Sequence, residues 1–138
     1  ECEIKPHVIQ MEAHPYYRDE ETIAALAPCG CCVMAWYPLG HGDHALLEEP
    51  VVKELAEKYG KSTAQVILRW HTQVGNIVIP GSTNPEHIKV NLDIFDFELT
   101  EEEMKQMAGL NKNVRYYYPD EEKLAAYANM KIDLDSQK

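Results

Sequence analysis

Three apolar runs, each closed by a turn and each followed by a helical pattern, constrain the fold of this chain more than any other feature. Val33-Met34-Ala35-Trp36-Tyr37 stops at Pro38-Leu39-Gly40. His7-Val8-Ile9-Gln10-Met11-Glu12-Ala13 stops at His14-Pro15-Tyr16, and Asn76-Ile77-Val78-Ile79-Pro80 stops at Gly81-Ser82-Thr83-Asn84. Their length and near-continuous apolar character read as parallel strands near residues 7–13, 31–37 and 76–80. Between and after them lie helices with recognisable ends. One covers Arg18 to Leu26 behind the acidic turn Asp19-Glu20-Glu21 and stops at Pro28 and Gly30. A loop from Gly40 to Glu49 leads to Pro50, which opens an apolar stripe through Tyr59 that Gly60 stops. Ser62-x-x-Gln65 is a capping box for a helix to about His71, and Thr100-x-x-Glu103 is one for a helix ending near Asn111. Asn84-Pro85 starts a short helix through about Val90, and a weaker one covers Glu121 to Tyr127. Strands alternating with helices predict an α/β fold with a parallel sheet, in which the three turn loops share the carboxyl rim where ligands bind.

The chain has 138 residues, enough for one domain with a core. Its formal charge of −10 opposes nucleic-acid phosphates and anionic membrane surfaces, so neither is expected as a partner. The longest apolar run, near Cys31 to Leu39, is too short to span a bilayer, and Glu1-Cys2-Glu3-Ile4-Lys5-Pro6 has no secretory pattern. A cytoplasmic location is expected. Glu1-Cys2-Glu3 also lacks a methionine and does not read as a natural start. Cys2, Cys29, Cys31 and Cys32 read as free thiols, because the three crowded ones have poor geometry for bridging each other. Neither Cys29-x-Cys31-Cys32 nor His41-Gly42-Asp43-His44 has the partner ligands of a metal site, and no metal is expected.

Four blocks in one order then resemble the C-terminal half of the aldo/keto reductases, (β/α)8 barrel oxidoreductases that use NADPH or NADH. Gln10-x-Glu12-x-His14-Pro15-Tyr16 is similar to the sixth-strand region. Ala35-Trp36-Tyr37-Pro38-Leu39-Gly40 is similar to the seventh, and Ile79-Pro80-Gly81-Ser82 with Pro85-Glu86-His87-Ile88 and Asn91 to the eighth. Asp93-Ile94-Phe95-Asp96-Phe97-Glu98-Leu99 before Thr100 also fits. The Trp-Tyr-Pro-Leu-Gly-His-Gly loop resembles the bacterial diketogluconate-reductase-like members. The fold implied over residues 1–138 is a partial (β/α)8 TIM barrel, its last three strands with covering helices, with residues 112–138 as a C-terminal loop or tail.

The resemblance assigns cofactor roles position by position. Gln10 would bond the nicotinamide carboxamide and Trp36 would stack on the nicotinamide ring. Tyr37, Leu39 and Gly40 would face the pyrophosphate, with Gly40 allowing close backbone approach. Gly81, Ser82, Thr83, His87 and Asn91 would surround the adenosine end. Independently, a Gly-Ser-Thr turn entering a capped helix offers N–H groups and a positive dipole end to a phosphate, or satisfies its own caps instead. Gly81 stands where the family often has lysine and His87 where it often has arginine, both usually facing the NADP 2′-phosphate. NADP(H) is the cofactor the resemblance implies, and the loss of these two charges makes NAD(H) the alternative. Tyr37 replaces a frequent serine, and Val90 a frequent acidic residue. Read without the family, Gln10, Trp36 and Tyr37 are also consistent with simple packing, since neighbouring strand residues alternate sides. Tyr116, Tyr117, Tyr118 and Tyr127 either line a substrate pocket or shield the sheet.

The family's catalytic Asp, Tyr, Lys and His come from earlier strands, and none of those motifs occurs here; His14 is not that histidine. The chain by itself is expected to be inactive, with no catalytic residue of its own. Three strands cannot close a barrel that takes eight, so a hydrophobic sheet is left with open edges for the missing N-terminal half or a second copy. The implied function is NAD(P)H-dependent reduction of a small-molecule aldehyde or ketone to an alcohol, with this chain supplying the cofactor-binding half. The alternative is a noncatalytic half-barrel that binds a nucleotide or recruits a partner.

Overall fold

A computed structural model describes residues 3–131. Glu1, Cys2 and the end of the tail, residues 132–138, lie outside the described residues, and the free-thiol expectation for Cys2 lies outside them too. The three expected strands form one parallel sheet: β1 (Val8–Glu12), β2 (Cys32–Trp36) and β3 (Ile77–Val78), in the order β1-β2-β3. The register sets Gln10 opposite Met34, Glu12 opposite Trp36, and Met34 opposite Ile77. Pairing in β3 is shorter than the apolar run, because the chain reaches Pro80, which has no N–H to continue a ladder.

Among the described residues seven α-helices accompany the sheet: α1 (Glu20–Leu26), α2 (His44–Leu47), α3 (Pro50–Tyr59), α4 (Thr63–Gln73), α5 (Pro85–Leu92), α6 (Glu101–Ala108) and α7 (Glu121–Asn129). Both capping boxes form: Gln65 N–H donates to the Ser62 hydroxyl at 3.2 Å, and Glu103 N–H to the Thr100 hydroxyl at 3.3 Å. Pro28 sits in a 3-10 turn, Ala27–Cys29, which Gly30 closes at φ 65°. The unforeseen element is α2, inside the stretch read as a loop. Asp43 starts it by accepting from Ala45 N–H at 2.8 Å, and fully buried Leu46 anchors it.

The strands read as apolar on both faces, but the described helices cover only one. Ile9, Met11, Ala13, Val33, Ala35 and Val78 pack together with Ile23 of α1. The alternate residues share the other face, where Val8 and Ile77 are exposed. The main core lies beside the sheet, where Leu46, Val52, Leu55, Val66, Ile67, Trp70 and Met107 join α2, α3, α4 and α6. Lys58 Nζ donates to Glu103 at 2.6 Å and the Tyr59 hydroxyl at 2.7 Å, tying α3 to α6, while the Thr100 N–H donates at 2.7 Å.

Burial pushes the Glu103 carboxyl up, but the Lys58 ammonium, the Thr100 N–H and the Tyr59 hydroxyl outweigh it and hold the pKa at about 2, against an ordinary 4.5. Because the folded value is depressed, the stability this group contributes is complete above about pH 4.5 and is lost as pH falls toward 2. The expected loss is about 1–3 kcal/mol, discounted for the exposed Lys58. Urea unfolding from pH 6 down to acid should show this fall in the wild type, and Glu103→Gln should remove that part of the slope.

Candidate functional site

The site is built at the carboxyl end of the sheet. β2 ends at Trp36, and Tyr37 takes the left-handed region at φ 56°, unusual for a bulky side chain. Strand alternation predicts that Trp36 and Tyr37 point to opposite sides. The reversed torsion corrects this by folding the Tyr37 ring onto the indole, with ring centroids 3.9 Å apart and planes 21° from parallel. His41, also left-handed at φ 55°, stacks on Tyr37 at 3.8 Å. Gln10 lies on the same face of the sheet, one diagonal step from Trp36. Gln10, Trp36, Tyr37, Tyr117 and Tyr127 line a cavity of about 740 Å³.

A second cavity of about 290 Å³ continues past Tyr37 between the loops after β2 and β3, bounded by Pro38, Leu39, His41, Pro80 and Gly81. At Gly81 an added Cβ would meet no atom within 4 Å, so this end is open. Gly40 is different. It adopts φ 79°, and an added Cβ would lie 3.0 Å from Leu46 Cδ2 and 3.3 Å from the Tyr116 hydroxyl. The space kept free by this glycine is filled by the protein's own side chains.

The remaining sequence-derived positions scatter. Ser82 Oγ accepts from Asn84 N–H at 3.1 Å, and Asn84 Oδ1 accepts from Glu86 N–H at 3.0 Å, so the turn into α5 satisfies its own caps. Two of the N–H groups expected to be free for an anion are thus engaged. Thr83 and His87 are exposed, and Asn91 lines a separate apolar cavity of about 300 Å³ with Val78, Pro80, Ile88, Ile94 and Phe95. The structure therefore brings Gln10, Trp36 and Tyr37 to one cavity and Leu39 and Gly81 to a neighbouring one that shares Tyr37, and leaves Ser82, Thr83, His87 and Asn91 off both linings.

Supporting groups escaped the sequence reading. His71, fully buried at the end of α4, donates from Nε2 to the Pro38 carbonyl at 3.1 Å and accepts at Nδ1 from the Asn76 amide at 3.1 Å. Burial, partly opposed by the Pro38 carbonyl, lowers its pKa to about 3, so it is a neutral prop under the Pro-Leu-Gly turn. Glu12, 7% exposed, accepts from His14 Nε2 at 3.1 Å and from the backbone N–H groups of Tyr116 at 2.5 Å and Tyr117 at 3.2 Å. Burial lowers the His14 pKa against the pull of Glu12, so His14 is held neutral with Nε2–H toward the carboxylate. Glu12 and His14 are two residues apart and share a strand face, the one signal in the sequence that pairs them.

The tail is thereby strapped across the rim. The Tyr116 hydroxyl donates to Asp43 at 2.6 Å, Lys112 to Glu49 at 3.0 Å, and Arg115 to the Tyr17 hydroxyl at 2.6 Å. Tyr117 stands against Trp36 at 5.3 Å and 77°, its hydroxyl 2.9 Å from that of Tyr127. Of the tail tyrosines, Tyr117 and Tyr127 line the cavity, Tyr116 locks the strap, and Tyr118 faces solvent. Cys29, Cys31 and Cys32 are free, and the Cys32 thiol donates to the Gly75 carbonyl at 3.1 Å. Among the described residues no three His, Cys, Asp or Glu side chains converge as a metal site, and no helix is long and apolar enough to cross a membrane.

Residues 1–112 match the sequence profile of the aldo/keto reductase family. Aldo-keto reductase family 1 member A1 of Gallus gallus is 48% identical over 124 residues, covering 84% of this chain and 38% of that protein. An aldo-keto reductase of Mycolicibacterium smegmatis is 46% identical over 115 residues, covering 83% of this chain and 41% of its own length. Vertebrate and bacterial relatives thus match almost equally. The crystal structure of an aldo/keto reductase from Brucella melitensis superposes with a TM-score of 0.72 at 42% identity, over 78% of this chain and 40% of that one. The chain spans well under half the length of these relatives.

Proposed function

The chain belongs to the aldo/keto reductase family, and from that premise we propose that it supplies the dinucleotide-binding rim of an NAD(P)H-dependent reductase acting on an aldehyde or ketone. The observation that carries this is the pair of adjacent cavities at the strand ends, one lined by Gln10 and Trp36 and the other by Leu39 and Gly81, which meet at Tyr37. Its chemistry suits a dinucleotide. A flat indole beside a primary amide matches a nicotinamide and its carboxamide, and the narrower open channel beyond matches an extended diphosphate linker. When bound, the cofactor supplies the hydride. Gln10 and Trp36 would fix which face of the ring is presented, while Tyr117 and Tyr127 border the space beside it. The proton that completes the alcohol comes from outside this chain, whose groove holds no tyrosine with a lysine and a carboxylate beside it.

The free edges of the sheet at β1 and β3 fit strands that would continue a (β/α)8 barrel, supplied by the rest of the protein or by a second copy, and the exposed face with Val8 and Ile77 would then line its interior. A cytoplasmic setting goes with this function, since reduced dinucleotide and free thiols such as Cys29, Cys31 and Cys32 persist there. NADP(H) is the proposed cofactor by family, and NAD(H) is kept as the alternative because Gly81 and His87 replace the lysine and arginine that would pair with a 2′-phosphate.

The test is calorimetric titration of the gene product with NADPH and NADH, followed by carbonyl turnover. Trp36→Ala is expected to weaken dinucleotide binding by about 1–3 kcal/mol, the worth of a stacked, buried aromatic contact. Unchanged affinity would remove Trp36 from the site. An upstream Asp, Tyr, Lys and His set in the natural gene product selects the enzyme, and dinucleotide binding by a gene product without that set assigns the chain to a noncatalytic nucleotide-binding module instead.

A further inference from the structure

We propose that Tyr37 is a resident plug of the dinucleotide groove: its ring takes a face of Trp36 that an incoming nicotinamide would use, and it has to swing away before the cofactor seats. This rests on the assignment of Trp36 as the nicotinamide platform. The flat contact on the indole is already made by the protein itself, at 3.9 Å and 21°, the separation and tilt of an aromatic ligand stack. His41 closes the outer side of the same ring at 3.8 Å and 28°, so Tyr37 is the middle member of a three-ring column. Tyr37 also borders both cavities, which puts its ring at the junction of the aromatic end and the channel beyond.

The backbone torsion of Tyr37 is one that relaxation to an extended state would relieve. Tyr37 holds φ 56°, and it precedes Pro38, whose ring favours an extended residue before it. Strain of this kind persists only where surrounding contacts hold it, here the stack between Trp36 and His41. Relaxation of Tyr37 to an extended φ restores strand alternation and turns its side chain to the face of β2 opposite Trp36. That change works against the bonds that hold the Pro38-Leu39 turn, Gly40 N–H to the Tyr37 carbonyl at 2.9 Å and His71 Nε2 to the Pro38 carbonyl at 3.1 Å, which makes the opening a slow step. A plugged ground state lowers the apparent affinity by the fraction of molecules that are closed, and adds a protein step to association.

Tyr37→Gly deletes the ring while keeping the left-handed torsion unstrained, so it tests the plug without threatening the turn. In the gene product, the dissociation constant for NADPH measured by calorimetry is expected to fall about two- to tenfold, and Tyr37→Phe, which keeps the stack, to match the wild type. In stopped-flow mixing, the observed rate should level off with NADPH concentration in the wild type and keep rising in Tyr37→Gly. A glycine variant that binds NADPH no better than the wild type overturns the plug. Absence of dinucleotide binding in all three proteins, or unchanged affinity in Trp36→Ala, instead overturns the site on which the plug depends, and the plug with it.

Discussion

Replacing Glu12 with alanine is expected to lower the unfolding free energy by about 2–5 kcal/mol and to release the C-terminal strap, because three donors lose their acceptor in a buried place. His14 Nε2 and the Tyr116 and Tyr117 N–H groups all converge on this one carboxylate, and His14 is itself fully buried. Each unsatisfied buried donor costs about 1–3 kcal/mol, and water entering the vacated space recovers part of that. The functional consequence follows from what the strap carries. Tyr117 leans on Trp36 and bonds Tyr127, so losing its backbone anchor loosens one wall of the groove. Urea unfolding and limited proteolysis of residues 112–120 check this. Glu12→Gln keeps an acceptor and should retain roughly half of the loss. An alanine variant within about 0.5 kcal/mol of the wild type would show that Tyr116 and its bond to Asp43 hold the strap without Glu12.

The second large effect is expected at Trp70, where alanine should cost about 3–5 kcal/mol, a large share of the stability of an ordinary domain. The side chain is fully buried in the main core and lies edge-on to His71 at 4.8 Å. Arg18 lies over its ring at 5.8 Å. Its removal leaves a cavity beside the residue that props the Pro38 carbonyl, so dinucleotide affinity should fall along with the urea midpoint. Trp70→Phe should cost distinctly less. The indole Nε1 has no hydrogen-bond partner, so the phenyl ring keeps much of the packing and removes an unsatisfied buried donor. A Trp70→Ala protein as stable as the wild type would mean that the core collapses around the gap.

Much of the fold is legible because its signals are local. The Ser62–Gln65 and Thr100–Glu103 boxes, Pro50 at a helix start and the Gly60 stop each act within a few residues, and each produces the helix end that its pattern predicts. The short helix α2 escapes because four residues carry no periodicity. Its cap, Asp43, reads in sequence as part of a His-Asp-His loop. For the site, the strand ends place the turn loops at one rim, while the choice of Gln10, Trp36 and Leu39 comes from the family resemblance. Ser82 differs, because whether a Gly-Ser-Thr turn faces a ligand or caps itself depends on rotamers that the sequence does not specify.

The sequence alone determined the three parallel strands, the order of helices between them, and the convergence of the turn loops at one rim, since hydrophobic period, proline, glycine and capping side chains act over a few bonds. Only the tertiary structure decided that Tyr37 reverses its torsion to lie on Trp36, that Gly40 makes room for Leu46 and Tyr116, and that Glu12 reaches Tyr116, 104 positions away. Such contacts depend on which segments meet when the chain closes on itself. Burial then decides which polar groups have to pair, and no local pattern carries that information.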